Sequence, residues 1–302
     1  MNVFVAGGSG TIGIPLVQAL LAAGHQVTAL TRFASKQNDL RALGASVAVA
    51  DALNREALIA AVEAAHPTHV VHQLTALPKD GARRAGDLDA TNRLRIDGTR
   101  NLLDAAIHIG ARRFLVGSFA MLSDRGPGAT AADDDAAAAV RSMERQVLEA
   151  SERGSIEGVV VRYGLFYGLE TPSTVAMIDM IRKRRLPVVR GDKGQLPLIH
   201  VADAVSATLR ALEFAPAGGT YDIVDDRAVS MTEIVEAIAE YTGSAPPLRV
   251  PGWLPRLVAP YLARVTSMQM PLSNAKAKME LGWRPKYPTM RDGLAQMFQR
   301  AA

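Results

Sequence analysis

The chain has 302 residues, enough for one large domain or a domain with a small lobe. It contains no cysteine, which excludes disulfides, thiolate metal sites and a cysteine nucleophile. The net charge is +4, and basic runs such as residues 182–185 are short and lack the aromatic interleaving of a nucleic-acid surface.

In chain order, NVFVAG (2–7) reads as a strand entering glycines, and IGIPLVQALLAAG (12–24) repeats apolar residues at helical spacing up to Gly24. Strands are expected at 26–31 and 46–51, a helix at 55–65, a strand at 68–74, a long helix at 87–110 and a strand at 112–118. The stretch 131–150 is helical, with Val140, Met143, Val147 and Leu148 on one face and Asp133 to Asp135 near its N-terminus. Strands follow at 157–164 and 220–225, and helical pieces at 173–184, 202–213, 230–242 and 274–281. This β-α-β-α order predicts an α/β fold, a Rossmann-type doubly wound parallel sheet with helices on both faces. Residues 1–164 form the expected core, with 186–225 returning to it. Residues 165–185 and 226–302 form a small, mostly helical substrate lobe. Its apolar stretch 250–271 either covers a substrate or packs as a helix pair. The first residues carry no basic leader, and the apolar runs fall short of a membrane span, so a cytoplasmic protein with no membrane partner is expected.

GGSGTIG (7–13) lies between the first strand and the first helix. Gly7, Gly10 and Gly13, with Thr11 and Ile12, let the backbone approach a pyrophosphate that the helix N-terminus attracts. The second strand ends in Thr31 and Arg32, with Lys36 one turn on, where an NAD-preferring chain places an acid. An arginine there pairs with a 2′-phosphate, so NADP is the expected cofactor. Asp51, followed by Ala52, meets the adenine edge or makes a plain turn. No histidine or carboxylate group has metal-ligand spacing, so no metal is expected.

Several segments together resemble an extended short-chain dehydrogenase/reductase of the NAD-dependent epimerase/dehydratase group. They are GGSGTIG (7–13), VVHQLTAL (70–77), GTRNLLDAA (98–106), FLVGS (114–118), VRYGLFYG (161–168), HVADA (200–204) and SNAKAKMELGWRP (273–285). The resemblance covers nearly the whole chain. It implies that Gln73, Leu74 and Thr75 run under the cofactor and that Ser118 holds the carbonyl-polarising position, although Ser118 also reads as a cap or turn serine. It places Tyr163 beside the nicotinamide, where relatives have proline.

The departures are equally specific. None of the six tyrosines has a lysine four residues later, although such a pair is the family's proton donor. Aligning Glu144 with the family's helix glutamate puts Ala136 and Val140 where tyrosine and lysine belong. No lysine occurs between Lys79 and Lys183, and Arg95 stands where many relatives have a structural asparagine. Replacement donors are Tyr163, whose phenol without a lysine stays near its ordinary pKa of ~10, and His200, as a general acid or a structural hydrogen-bonding group. Three readings follow: an NADP(H)-dependent reductase of a small, largely apolar carbonyl or conjugated substrate; a redox-neutral lyase, isomerase or cyclase; or a non-catalytic NADP-binding regulator. The expected partner is a small molecule, and the chain acts as a monomer or homodimer.

Overall fold

Among the described residues, eleven short strands appear in chain order: β1 (Asn2–Ala6), β2 (Gln26–Thr31), β3 (Ser46–Val49), β4 (His69–His72), β5 (Arg113–Phe119), β6 (Glu157–Tyr163), β7 (Leu165–Tyr167), β8 (Val188–Val189), β9 (Leu198–His200), β10 (Thr220–Ile223) and β11 (Arg249–Val250). The computed structural model describes residues 1–77, 85–123, 131–254, 269–270 and 272–299. Seven strands form one sheet in the order β10-β6-β5-β4-β1-β2-β3, and every pairing in it is parallel. The order reverses between β1 and β4, and ligands of doubly wound sheets bind outside the strand C-termini at that point.

Helices connect the strands: α1 (Gly13–Ala22), α2 (Gln37–Ala42), α3 (Arg55–Ala65), α4 (Asp89–Arg93), a π turn (Leu94–Gly98), α5 (Thr99–His108), α6 (Ala120–Ser123), α7 (Ala131–Glu152), α8 (Pro172–Arg182), α9 (Val201–Phe214), α10 (Met231–Tyr241), α11 (Ala275–Glu280) and α12 (Met290–Gln299). Asn54 caps α3 by accepting from Ala57 N at 3.1 Å, and Ser230 and Glu233 form a capping box on α10.

Side chains alternate across the sheet, so each strand feeds two cores. Val3, Val5, Val71, Leu115 and Val161 pack with Leu16 of α1 and Val205 of α9. Phe4, Val70, Phe114, Val116 and Val160 face the other way, onto Leu58 of α3, Leu102 of α5 and Met143 of α7. A third cluster joins Met121, Tyr167, Ile178 of α8, Val235 of α10 and Leu294 of α12.

The expected long helix at 87–110 is divided by the π turn into α4 and α5. The strands β7, β8, β9 and β11 are two or three residues long, too short to show a period of two in sequence. Most of the apolar stretch 250–271 lies outside the described residues, as do Lys79 and the side chains of Asp133 and Asp134. No described helix is long and apolar enough to cross a membrane.

Candidate active site

The glycine turn is built by close backbone approach. Gly7 has φ +90°, and a Cβ on it would lie 2.7 Å from the Gln73 carbonyl oxygen. At Gly13 a Cβ would lie 2.1 Å from the Gly7 carbonyl oxygen, so α1 starts directly against the turn. Gly10 meets just the Gly7 carbonyl, at 3.2 Å, and is exposed together with Thr11, while Ile12 is buried. No side chain caps α1. Ile14 N bonds to the Gly10 carbonyl at 3.1 Å and Pro15 has no N–H, so an anion meets the glycine turn and the positive end of the α1 dipole, which fits the pyrophosphate of a dinucleotide.

Thr31 ties the end of β2 to this turn. Its Oγ1 is 3.1 Å from Ser9 Oγ and accepts from Phe33 N at 3.2 Å. Arg32 is exposed, with its guanidinium 4.7 Å from the Phe33 ring centre. The other expected cation, Lys36, lies 3.2 Å from Asp39 in an exposed pair. Asp51 makes a turn, accepting from Leu53 N at 2.9 Å, and Ala52 is buried with its carbonyl bonded to Asn101 Nδ2 at 3.0 Å.

At the end of β4, the His72 ring is fully interior. Nδ1 accepts from Leu74 N at 3.1 Å, so Nε2 carries the proton and donates to Thr99 Oγ1 at 3.0 Å. Burial, aided by the Arg95 guanidinium, pushes its pKa down to about 4, and the ring stays neutral. Gln73 lies against Gly117 and donates from Nε2 to Tyr163 Oη at 2.8 Å. Leu74 is half-buried and Thr75 exposed.

The three expected catalytic residues fall into three separate clusters. The Ser118 hydroxyl is buried and donates to Glu144 Oε1 at 2.5 Å. Glu144, from α7, also accepts from Arg162 Nε at 3.0 Å and Nη2 at 2.6 Å. Ser118 and Arg162 are register partners on β5 and β6, so both face α7. Tyr163 is the next residue and therefore faces the other side. Its hydroxyl lies within 2.7 Å of Thr208 Oγ1, and Thr208 donates its own proton to Ala204 O. The Tyr163 proton thus points to Thr208, away from the crevice, and burial raises its pKa to about 12. Ser118, expected at the carbonyl-polarising position, and Tyr163, expected beside the nicotinamide, occupy opposite faces of the sheet. Glu144 and Thr208, which capture the two hydroxyls, were not among the expected site residues.

His200 is the N-cap of α9. Its Nδ1 accepts from Ala202 N at 3.1 Å, and its ring packs between Tyr167 and Tyr287 at centroid distances of 5.1 and 4.5 Å. Asp203, beside it, accepts from Lys286 N and Tyr287 N at 2.7 and 2.8 Å. Asp225 is 4% exposed and lies beside the Tyr167 hydroxyl and the His200 backbone. Burial raises its pKa to about 8. A carboxyl with a raised folded-state pKa keeps a proton that the unfolded chain loses near pH ~4. Stability should therefore fall as pH rises from about 4 to about 8, by at most roughly 6 kcal/mol. Asp225→Asn removes this dependence. Its melting temperature should exceed that of the native protein at pH 8.5 and match it at pH 4, and an equal difference at both values would refute the assignment.

In α7, Ala136 and Val140 are fully buried. The site thus combines a dinucleotide cradle with an apolar helix face. A profile of the NAD dependent epimerase/dehydratase family matches residues 3–224. The chain belongs to this family.

Within the epimerase/dehydratase family, the chain is 38% identical to a 3-diazoavenalumate denitrifying reductase of Streptomyces sp, over 98% of this chain and all of that protein. It is 30% identical to a 4-hydroxy-2-methyl-3-oxo-4-farnesyl-3,4-dihydroquinoline-1-oxide ketoreductase of Stigmatella aurantiaca, over 80% of this chain and 74% of that protein. The crystal structure of a Thermus thermophilus UDP-glucose 4-epimerase with NAD superposes with a TM-score of 0.78 at 25% identity, covering 99% and 98% of the two chains. The epimerase/dehydratase fold, with its seven-stranded parallel sheet, extends over the whole of this chain, and a nicotinamide dinucleotide is the family's cofactor.

Proposed function

We propose that the protein is an NADP(H)-dependent reductase of a small, largely apolar, conjugated electrophile, and that the reaction draws no proton from a tyrosine–lysine pair. The observation that carries this reading is the face of α7, where Ala136 and Val140 are buried and apolar. Two nearby hydroxyls are already committed, Ser118 to Glu144 and Tyr163 to Thr208. Bound NADPH supplies a hydride. A ketone that accepts hydride becomes an alkoxide and needs a proton. An aryl diazonium does not: hydride forms the new C–H bond, and dinitrogen leaves with the electron pair of the C–N bond. The reductase relative named for a diazo substrate and for denitrification supports this class.

In this reading the residues bind and orient. Gly7, Gly10, Thr11, Ile12 and Gly13 hold the pyrophosphate. Asp51 and Ala52 border the adenine. Gln73, Leu74 and Thr75 pass under the nicotinamide half, and Tyr163 positions Gln73 through its hydrogen bond. Ser118, Glu144 and Arg162 lock the ends of β5 and β6, and α7 excludes water. His200 caps α9 and stays outside the chemistry.

The test uses 4-deuterated NADPH of each face with 4-methylbenzenediazonium, run against a protein-free control. The expected result is one deuterium in the toluene product from one of the two labelled cofactors and none from the other, dinitrogen release equal to NADPH consumed, and no label at that carbon from D2O with unlabelled cofactor. Tight NADPH binding with no turnover would favour the regulator. Turnover without cofactor oxidation or label transfer would favour redox-neutral chemistry.

Cofactor preference is tested separately. Arg32 lies where a 2′-phosphate would sit, and a charged hydrogen bond of this kind contributes roughly 1.5–3 kcal/mol. Calorimetry should show NADPH binding at least tenfold more tightly than NADH, with Arg32→Ala removing most of the difference. Equal affinities in the native protein would overturn the preference.

A further inference from the structure

The central helix of the fold leaves α geometry between α4 and α5, at the π turn Leu94–Gly98. Such turns give up hydrogen-bond geometry and recur at functional sites. Arg95 stands inside this one and is 7% exposed. Its neighbours on the same helical face locate it. Thr91 Oγ1 accepts from Ala76 N at 3.0 Å, and Thr99 Oγ1 is bonded to His72 Nε2 at 3.0 Å. Residues four apart share a face, so Arg95 lies between these two anchors, over the C-terminal end of β4 and residues 73–77 that follow it. Ligands bind at that edge of a doubly wound sheet.

Among the described residues Arg95 has no carboxylate partner, and its hydrogen bond to Asn92 is a long one, from Nη1 to Oδ1 at 3.4 Å. Arg113 shows the alternative. It is buried to a similar degree, yet it has Glu157 at 2.6 Å and the Ala211 and Leu212 carbonyls at 3.2 and 2.7 Å. Burial lowers the Arg95 pKa to about 10, which still leaves it charged at neutral pH.

We infer that Arg95 is the anion-binding residue of the substrate site, pairing with a carboxylate carried by the conjugated substrate. The planar guanidinium fork matches a carboxylate bidentately. A buried cation without a counter-ion favours an anionic ligand over a neutral one. The helix packed against the same π turn supplies Ala136 and Val140, both buried and apolar, which suits the conjugated body of the ligand. The cofactor pyrophosphate is served elsewhere: α1 covers the opposite face of the sheet from α5 and α7. This inference rests on the reductase reading for the identity of the crevice and adds the charge of the substrate.

The experiment measures binding of cinnamate and of its neutral methyl ester to the NADP+-loaded protein by calorimetry. Native protein should bind cinnamate at least tenfold more tightly. Arg95→Gln should abolish that preference while leaving ester affinity and NADP+ affinity within about twofold, and Arg95→Lys should retain part of it. Arg95→Met should melt no lower than native, because it removes an unpaired charge, whereas a structural arginine would cost stability. No carboxylate preference in the native protein, or a preference that survives Arg95→Gln, would overturn the inference. So would an Arg95→Gln protein that loses NADP+ instead of cinnamate, which would make Arg95 a cofactor anchor. If native protein fails to bind NADP+, the reductase reading falls, and the comparison of acid with ester on the free protein still decides the role of Arg95.

Discussion

Gly13→Val should abolish measurable NADPH binding and destabilise the fold. Even the first added carbon would sit 2.1 Å from the Gly7 carbonyl oxygen and 2.9 Å from the Gly8 carbonyl carbon. Both are backbone atoms that cannot rotate away, so α1 must move off the turn. That movement displaces the positive end of the α1 dipole from the pyrophosphate and loosens Leu16 and Leu20 from the core. Overpacking of this kind costs about 3 kcal/mol. The expected result is a loss of at least a hundredfold in NADPH affinity by calorimetry, with a melting temperature lower by on the order of 5–10 °C. Gly10→Ala separates binding from folding. Its Cβ has the Gly7 carbonyl oxygen as its one neighbour, at 3.2 Å, on the exposed side of the turn. It should weaken NADPH while leaving the melting temperature nearly unchanged. Native affinity in both variants would show that the cofactor is not held at this turn.

Glu144→Ala should be the most destabilising single change in the crevice. The Glu144 side chain is 6% exposed and accepts from both Arg162 and Ser118. Its removal leaves a largely buried guanidinium without its carboxylate and a hydroxyl without its acceptor. Breaking a buried pair from one side costs roughly 3–5 kcal/mol. Chemical denaturation should show a loss of that size, while Glu144→Leu combined with Arg162→Met should recover much of it, because an apolar pair removes both charges. A cost below about 1 kcal/mol for Glu144→Ala would mean that solvent reaches Arg162 and replaces the carboxylate. Turnover of the double variant then reports on Ser118, whose proton is no longer held by Glu144.

The sequence by itself determined the features that depend on neighbours along the chain. The glycine turn could be read because Gly7, Gly10 and Gly13 act within one strand-to-helix junction. The expected strands at 26–31 and 157–164 and the helix at 55–65 match their observed spans within a residue, because side-chain period and capping are local. That no tyrosine is followed by a lysine four residues on is equally legible, since it concerns which residue types occur at one spacing. Tertiary structure decided which groups share a hydrogen bond. Ser118 and Tyr163 looked like two sides of one site, but the register of β5 against β6 sends them to opposite faces. Glu144 reaches Ser118 across 26 residues, and Gln73 reaches Tyr163 across 90. Arg95 reads from its surroundings in sequence as one of several charged residues on a helix. Its burial follows from the packing of α4, α5 and α7 over β4, and the enclosure is what makes its charge costly. Period and turn chemistry are carried by consecutive residues, whereas burial and pairing depend on how distant segments dock.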